Sequence, residues 1–201
     1  MCDNSYVSNL IATVMDCSEA DDWESAKHEW YVSDCIVDEA LSGTCVCGKE
    51  GLRYLYSLTN EKTGSVLYPI GSSCIKKFER NDLDDDTSCW QQALRLMDEA
   101  ARLGRRGIVE IDSGFYSRKL IWFMYEEDVF KPSKYNDGQP YADYLFMLDM
   151  FNSKGFTEKQ RRKCNTLIKL YVYPWLRELW VKSKRREGNK KAVGQSHVNV
   201  G

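Results

Sequence analysis

Residues 30–78 read WYVSDCIVDEALSGTCVCGKEGLRYLYSLTNEKTGSVLYPIGSSCIKKF, and this stretch decides the fold. Strand-like segments occupy residues 31–37, 52–58 and 65–70, and a Gly-containing turn at residues 60–64 separates the last two. Two strand-like runs joined by such a turn predict a β-hairpin. Cysteines flank this hairpin on both sides, at Cys45 and Cys47 before it and at Cys74 after it.

These flanking cysteines predict a zinc centre. Cys45 and Cys47 place two sulfurs on one tight turn, and Cys74 follows the glycine that ends the hairpin. Structural zinc sites are closed tetrahedra of cysteine and histidine ligands. The fourth ligand is open at this point: Cys35, near the end of the preceding strand, is the first choice and His28 the second. The competing interpretation is a set of reduced cysteines in an ordinary hairpin core.

The rest of the chain has helical periodicity, so the predicted class is α+β: a small zinc-bound β-hairpin module followed by a helical bundle. Thr87 or Ser88 is expected to cap the first helix of the bundle and Gly104 to end it. Pro174 is expected to kink or break the last helix. The predicted boundaries are an N-terminal helix in 1–25, the zinc module in 26–80, a helical region in 86–187 and a disordered basic tail in 188–201.

Charge is segregated along the 201 residues although the formal net charge is only −2. Acidic residues dominate 16–39, and basic residues dominate 182–191. A second acidic cluster forms the predicted partner-binding surface, because such a cluster can complement a basic channel and accelerate the encounter with it. The competing interpretation is an ordinary solvated linker or helix start. The cluster comprises Asp82, Asp84, Asp85 and Asp86.

The composition argues against an enzyme. The two histidines are His28 and His197, so catalytic pairs of cysteine or serine with histidine have almost no candidates. The chain lacks the His-Glu-x-x-His zinc motif and a Gly-rich phosphate loop. No apolar run is long enough to span a bilayer, and the first residues lack a basic signal-peptide start. We therefore expect a non-enzymatic protein in the cytoplasm, where thiols stay reduced.

Within residues 28–80, the segments 30–35, 45–49, 52–56, 60–64 and 67–78 resemble a zinc-finger-like module of small proteins from phages and prophages of low-GC Gram-positive bacteria. The resemblance implies a structural zinc held by Cys35, Cys45, Cys47 and Cys74. Such phage proteins include anti-CRISPR inhibitors of type II effector nucleases. The resemblance therefore implies action in the bacterial host cytoplasm.

Two functions follow as hypotheses. The first is a zinc-stabilised inhibitor that binds a host nucleic-acid-targeting defence machine, with a type II CRISPR effector nuclease as the expected partner, and blocks its engagement of target DNA. The alternative is a phage accessory protein that binds nucleic acid directly through basic side chains and an aromatic ring of the zinc module, together with the basic segment 182–191. The module residues concerned are Lys49, Arg53, Tyr54, Lys76 and Lys77.

Overall fold

A computed structural model describes residues 3–103 and 110–195 and has the predicted α+β class, with a three-stranded antiparallel sheet and a largely helical second half. The elements are α1 (Asp3–Asp16), α2 (Trp23–Ala26), β1 (Trp30–Val37), β2 (Tyr54–Asn60), β3 (Val66–Ile70), α3 (Ser72–Ile75), α4 (Asn81–Leu103), α5 (Arg118–Glu126), α6 (Pro140–Asn152), α7 (Glu158–Leu167) and α8 (Tyr173–Gln195).

The sheet is a meander in the order β1-β2-β3. The predicted hairpin is β2–β3, and β1 adds to it by pairing antiparallel with β2. Tyr56 is the central residue, since it pairs with Cys35 on one side and with Ile70 on the other. The connection between β1 and β2 is long and carries Cys45 and Cys47. The sheet thus holds both ends of the cysteine-bearing loop in place.

The described chain divides into two compact units, each with its own core. The first comprises residues 1–88 and 183–201, and the second comprises residues 89–182. In the first unit, α1 and the sheet both carry buried apolar side chains, and Trp23 packs its ring 5.3 Å from that of Phe78. The fully buried large side chains of this unit include Leu10, Trp30, Leu55, Tyr56, Leu58, Ile70, Ile75, Phe78 and Leu83.

The second unit is helical and has an aromatic core. The rings of Trp90 and Phe123 meet edge to face at 5.2 Å, a geometry that aromatic pairs prefer, and Trp175 lies 6.4 Å from each. Ser117 caps α5 by accepting a hydrogen bond from the Leu120 backbone. The sequence Thr157-Glu-Lys-Gln160 has the pattern of a capping box, and this box opens α7, because the Thr157 and Gln160 side chains accept hydrogen bonds from each other's backbone N–H groups.

One expectation about the start of a helix is wrong. Helix α4 begins at Asn81, so Thr87 and Ser88 both lie inside it and neither is its cap. Its first turn contains Asp82 and Asp84, and acidic side chains stabilise a helix N-terminus by opposing the helix dipole. Gly104, the expected end of this helix, lies outside the described residues.

Pro174 does not break the last helix. A π-helical turn at Ile168–Val172 connects α7 to α8 just before the proline. Such a turn accommodates the missing N–H of proline without interrupting the helical path. Helix α8 runs to Gln195, so it extends into the segment 188–201 that was expected to be disordered, and residues 196–201 lie outside the described residues. No helix in the described ranges is long and apolar enough to cross a membrane.

Candidate metal centre

Three cysteine sulfurs from separate parts of the sequence converge beside the sheet. The Sγ atoms of Cys45 and Cys74 are 3.5 Å apart, and those of Cys74 and Cys47 are 3.4 Å apart. All three lie within 4.8 Å of one another. Cys45 and Cys47 are buried and Cys74 is half-buried. These separations are far longer than the roughly 2.05 Å of a disulfide, so the three thiols are free.

The backbone around Cys45 explains why the sulfurs converge. Residues 45–49 form a tight turn in which the Gly48 N–H donates to the Cys45 carbonyl at 2.7 Å and the Cys45 N–H donates to the Lys49 carbonyl at 2.7 Å. Gly48 has φ +97°, a conformation that side chains with a Cβ rarely adopt. The turn is fixed to β3 because the Val46 N–H donates to the Pro69 carbonyl at 2.9 Å.

The turn after β3 contributes the third thiol and a hydrogen-bond donor. Gly71 precedes α3, its N–H donates to the Sγ of Cys45 at 3.4 Å, and its carbonyl accepts from the Cys74 N–H at 2.9 Å. A Cβ on Gly71 would stand 2.8 Å from a methyl carbon of Leu52, so a larger residue here would require the Leu52 side chain to move. Residues 71–74 therefore supply the Cys74 thiol as a candidate ligand and a backbone N–H that donates a hydrogen bond to the Cys45 sulfur.

The protein environment favours a thiolate at Cys45. Hydrogen bonds from the Cys74 thiol and from backbone N–H groups, including that of Gly71, lower the pKa of Cys45 to about 5. The proximity of the Cys45 sulfur in turn raises the pKa of Cys74 far above its ordinary value. Three thiols this close cannot all ionise without a cation, because like charges at such distances repel strongly. The arrangement therefore suits a bound positive ion.

The three thiols fit a metal ion. Tetrahedral coordination with metal–sulfur bonds of about 2.3 Å requires sulfurs about 3.8 Å apart, close to the separations seen here. A group of three cysteines of this kind can hold a metal ion. Bound there, the ion would cross-link the turn at Cys45 and Cys47 to the start of α3, a stabilising role typical of structural sites.

Neither candidate for the fourth ligand joins the group. Cys35 lies within β1, is 0% exposed, and its register partner is Tyr56. Burial raises the pKa of the Cys35 thiol well above its ordinary value, so this thiol is protonated when no metal ion is bound. His28 lies in the turn between α2 and β1. Among the described residues, the group of converging ligands comprises Cys45, Cys47 and Cys74.

A cavity of about 240 Å³ adjoins the thiols. Cys45 and Cys74 both line it, so two of the three candidate ligands border a solvent-accessible space. Lys49 and Arg53 line the same cavity and bring positive charge close to the sulfurs. The remaining lining residues are Glu50, Gly51, Leu52, Tyr54, Gly71, Ser72 and Ser73.

The sequence did not reveal that α1 contacts the turn of residues 45–49, called the cysteine turn below. The side-chain amide of Asn9 donates to the Cys47 carbonyl at 3.2 Å. The Tyr6 ring lies beside Gly48, where an added Cβ would be 3.8 Å from a ring carbon. Tyr6 and Asn9 are three positions apart and therefore share a helix face, whereas the sequence predicted only that a helix lies in residues 1–25.

The four acidic candidates do not form one uniform surface. Asp82 pairs with Arg80 and is the most exposed, whereas Asp84, Asp85 and Asp86 are half-buried. At about 100° per residue, Asp82, Asp85 and Asp86 share one face of α4 and Asp84 points elsewhere. One carboxylate oxygen of Asp84 is buried, so Asp84 is poorly placed for docking.

Comparison with known proteins adds no assignment: no family model, no curated protein and no solved structure matches this chain.

Proposed function

We propose that the three-cysteine group binds Zn²⁺ and that the chain is a non-enzymatic binding protein which inhibits a host nucleic-acid-targeting machine. The observation that carries the zinc assignment is the convergence of Cys45, Cys47 and Cys74 within 4.8 Å. Zinc suits it because Zn²⁺ favours thiolates and has no geometric preference that distorts a tetrahedral site. A metal held mainly by thiolates beside a small sheet stabilises the first unit and leaves its surfaces for binding.

The contacts of Arg80 support the acidic docking surface. Its guanidinium donates to the backbone carbonyls of Lys27 at 2.9 Å and Trp30 at 2.7 Å, and it also pairs with Asp82. These contacts bring the start of α4 next to α2, where the exposed acidic side chain Glu24 forms an ion pair with Lys27. Two acidic segments that are far apart in sequence therefore adjoin, as a surface complementary to a basic nucleic-acid channel requires.

The partner in this proposal is a type II CRISPR effector nuclease, and the protein would block its engagement of target DNA. The choice rests on the resemblance of residues 28–80 to phage zinc-finger-like modules. Such nucleases hold nucleic acid in positively charged channels. The acidic face formed by Asp82, Asp85 and Asp86 would compete there with the phosphate backbone.

A charge-reversal experiment tests this proposal. A guide-loaded type II effector nuclease from a low-GC Gram-positive host is titrated with the protein, and target DNA binding is measured by gel shift. We expect inhibition at near-stoichiometric protein, and Asp85→Lys with Asp86→Lys should weaken it at least about tenfold, since like charges across an interface cost several kcal/mol. The control is Glu126→Lys with Asp149→Lys, the same charge change at two exposed positions of the second unit.

Each negative result removes a defined part of the proposal. Equal inhibition by both double variants excludes the acidic face, provided that circular dichroism shows α4 intact. Absence of inhibition by the unaltered protein excludes this class of nuclease as the partner.

The alternative function, direct nucleic-acid binding, is favoured by one feature of the first unit. Lys76 and Lys77 are exposed in the turn after α3, beside Cys74, and Lys49 and Arg53 line the adjoining cavity. Direct binding predicts affinity for free DNA or RNA that falls steeply with salt and drops on Lys76→Glu with Lys77→Glu. An inhibitor acting through the acidic face predicts no affinity for free nucleic acid, so the same gel shift without nuclease separates the two functions.

A further inference from the structure

The cavity beside the cysteines points to a role that a closed structural site does not have. A site with four protein ligands leaves no room for another donor, whereas a site with three retains an exchangeable position. Cys45 and Cys74 line a cavity of about 240 Å³, and Cys74 is only half-buried. That volume exceeds the roughly 30 Å³ that one water occupies in the liquid, so a small organic ligand can enter.

We propose that the metal centre takes its fourth ligand from outside the chain, through this cavity, and that this ligand is a thiolate. The inference rests on the metal site proposed above. Three converging thiols provide one face of a tetrahedron, and within the described ranges no other histidine, cysteine or carboxylate atom belongs to the group. The cavity borders two of these thiols and is therefore the route to the remaining position.

The charges around the cavity select an anionic sulfur donor. A divalent ion with three thiolates carries one negative charge, and a fourth thiolate raises it to two. Lys49, Arg53 and Glu50 line the cavity, so its charged side chains leave one net positive charge that offsets part of this negative charge. Sulfur is preferred over oxygen because a borderline-soft ion in a thiolate-rich site binds soft donors well. The ligand is thus the thiolate of a small free thiol or of a cysteine in a partner.

The exchange reaction is a simple ligand substitution. The incoming thiol loses its proton to solvent, its sulfur forms a bond to the metal, and a metal-bound water leaves. Nothing is oxidised or reduced, and the three protein thiolates remain bound throughout.

Cobalt spectroscopy of the full-length protein tests the inference, because the visible absorption of tetrahedral Co²⁺ reports the number of thiolate ligands. The protein is loaded with Co²⁺ and titrated with 2-mercaptoethanol or with a short peptide containing one cysteine. We expect a three-thiolate spectrum that changes saturably to a four-thiolate spectrum. Tighter binding of the peptide would identify a partner cysteine as the source, and tighter binding of 2-mercaptoethanol a small free thiol.

A cavity-blocking variant provides the matched control. Ser73→Trp introduces a bulky side chain at an exposed lining position and should weaken thiol binding about tenfold or more, while Co²⁺ still binds. Glu61→Trp places the same side chain at an exposed position in the hairpin turn and should leave thiol affinity unchanged. Equal thiol affinity in both variants would overturn the cavity as the entry route.

The remaining outcomes are equally decisive. One such outcome is a four-thiolate spectrum without added thiol that becomes a three-thiolate spectrum on Cys2→Ser or Cys35→Ser. It would overturn the inference but leave the metal site in place. A resting spectrum that changes on Glu50→Gln or His28→Ala would do the same, since the chain would then supply its own fourth ligand. A three-thiolate spectrum that no thiol alters excludes a thiolate as the exchangeable ligand. Absence of Co²⁺ binding would overturn the metal site together with the inference.

Discussion

At the residue scale, Glu29 shows how a buried charge organises the first unit. Its carboxylate accepts hydrogen bonds from the backbone N–H groups of Glu19 at 2.9 Å and Ala20 at 2.8 Å, and from the Asn60 amide at 2.7 Å. The Asn60 side-chain oxygen in turn accepts from the Lys62 backbone and so fixes the turn between β2 and β3. Glu29 is 9% exposed, so these donors replace its lost hydration.

These contacts predict a pH-dependent contribution of Glu29 to stability. Hydrogen bonding by Asn60, assisted by the two backbone donors, lowers the pKa of Glu29 below its usual 4.5. Because the folded-state pKa is the lower one, the stabilisation is present above about pH 4.5 and is lost as the pH falls through the folded-state pKa. Glu29→Gln should cost roughly 1–3 kcal/mol at neutral pH and less at an acidic pH below the folded-state pKa.

Urea denaturation at the two pH values measures this difference. Glu158→Gln is the control, because Glu158 pairs with Arg162 on the exposed surface of α7, where such pairs contribute little to stability. A Glu29→Gln cost that is the same at both pH values would contradict the role assigned to its charge.

At the element scale, the turn of residues 45–49 and the segment from β3 to the start of α3 are two short segments linked by hydrogen bonds. Backbone hydrogen bonds from Val46 to Pro69 and from Gly71 to the sulfur of Cys45 connect them. A metal ion bound to Cys45, Cys47 and Cys74 would add bonds between the same two segments. Metal ligands should therefore be far more sensitive to substitution than other buried cysteines.

Serine substitution tests that sensitivity. Cys45→Ser or Cys74→Ser should reduce zinc affinity by more than about 100-fold. Even substitutions of residues that only hydrogen-bond to metal ligands lower metal affinity about 10–100-fold. Cys164→Ser is the matched control: Cys164 is buried in the second unit, where its thiol lies 3.7 Å from the Met147 sulfur. Elemental analysis of each purified protein gives the zinc content per chain. Stoichiometric zinc in Cys45→Ser would refute the ligand assignment.

At the scale of the whole molecule, the division into two units predicts that metal removal acts locally. The three converging cysteines lie in the unit of residues 1–88 and 183–201, while α5 and α6 belong to the other unit and have an apolar core of their own. Opening free energies differ between cooperative units of a protein. Chelation of the metal should therefore loosen the first unit selectively.

Hydrogen exchange followed by mass spectrometry measures this effect. After chelation, peptides covering residues 43–52 and 70–75 should exchange at least about tenfold faster, which corresponds to a loss of about 1.4 kcal/mol. Peptides from α5 and α6 are the internal control and should be unchanged. Uniform acceleration across both units would contradict the local role of the metal.

The sequence by itself determined the α+β class, the β2–β3 hairpin, the Thr157 capping box and the three converging cysteines, because each depends on local patterns of polarity, turn residues and spacing. The tertiary structure decided the rest. Cys35 is separated from the group because strand pairing places it opposite Tyr56, and Asn9 reaches Cys47 because α1 packs beside the cysteine turn. Such contacts join residues far apart in the chain, and no local pattern encodes them.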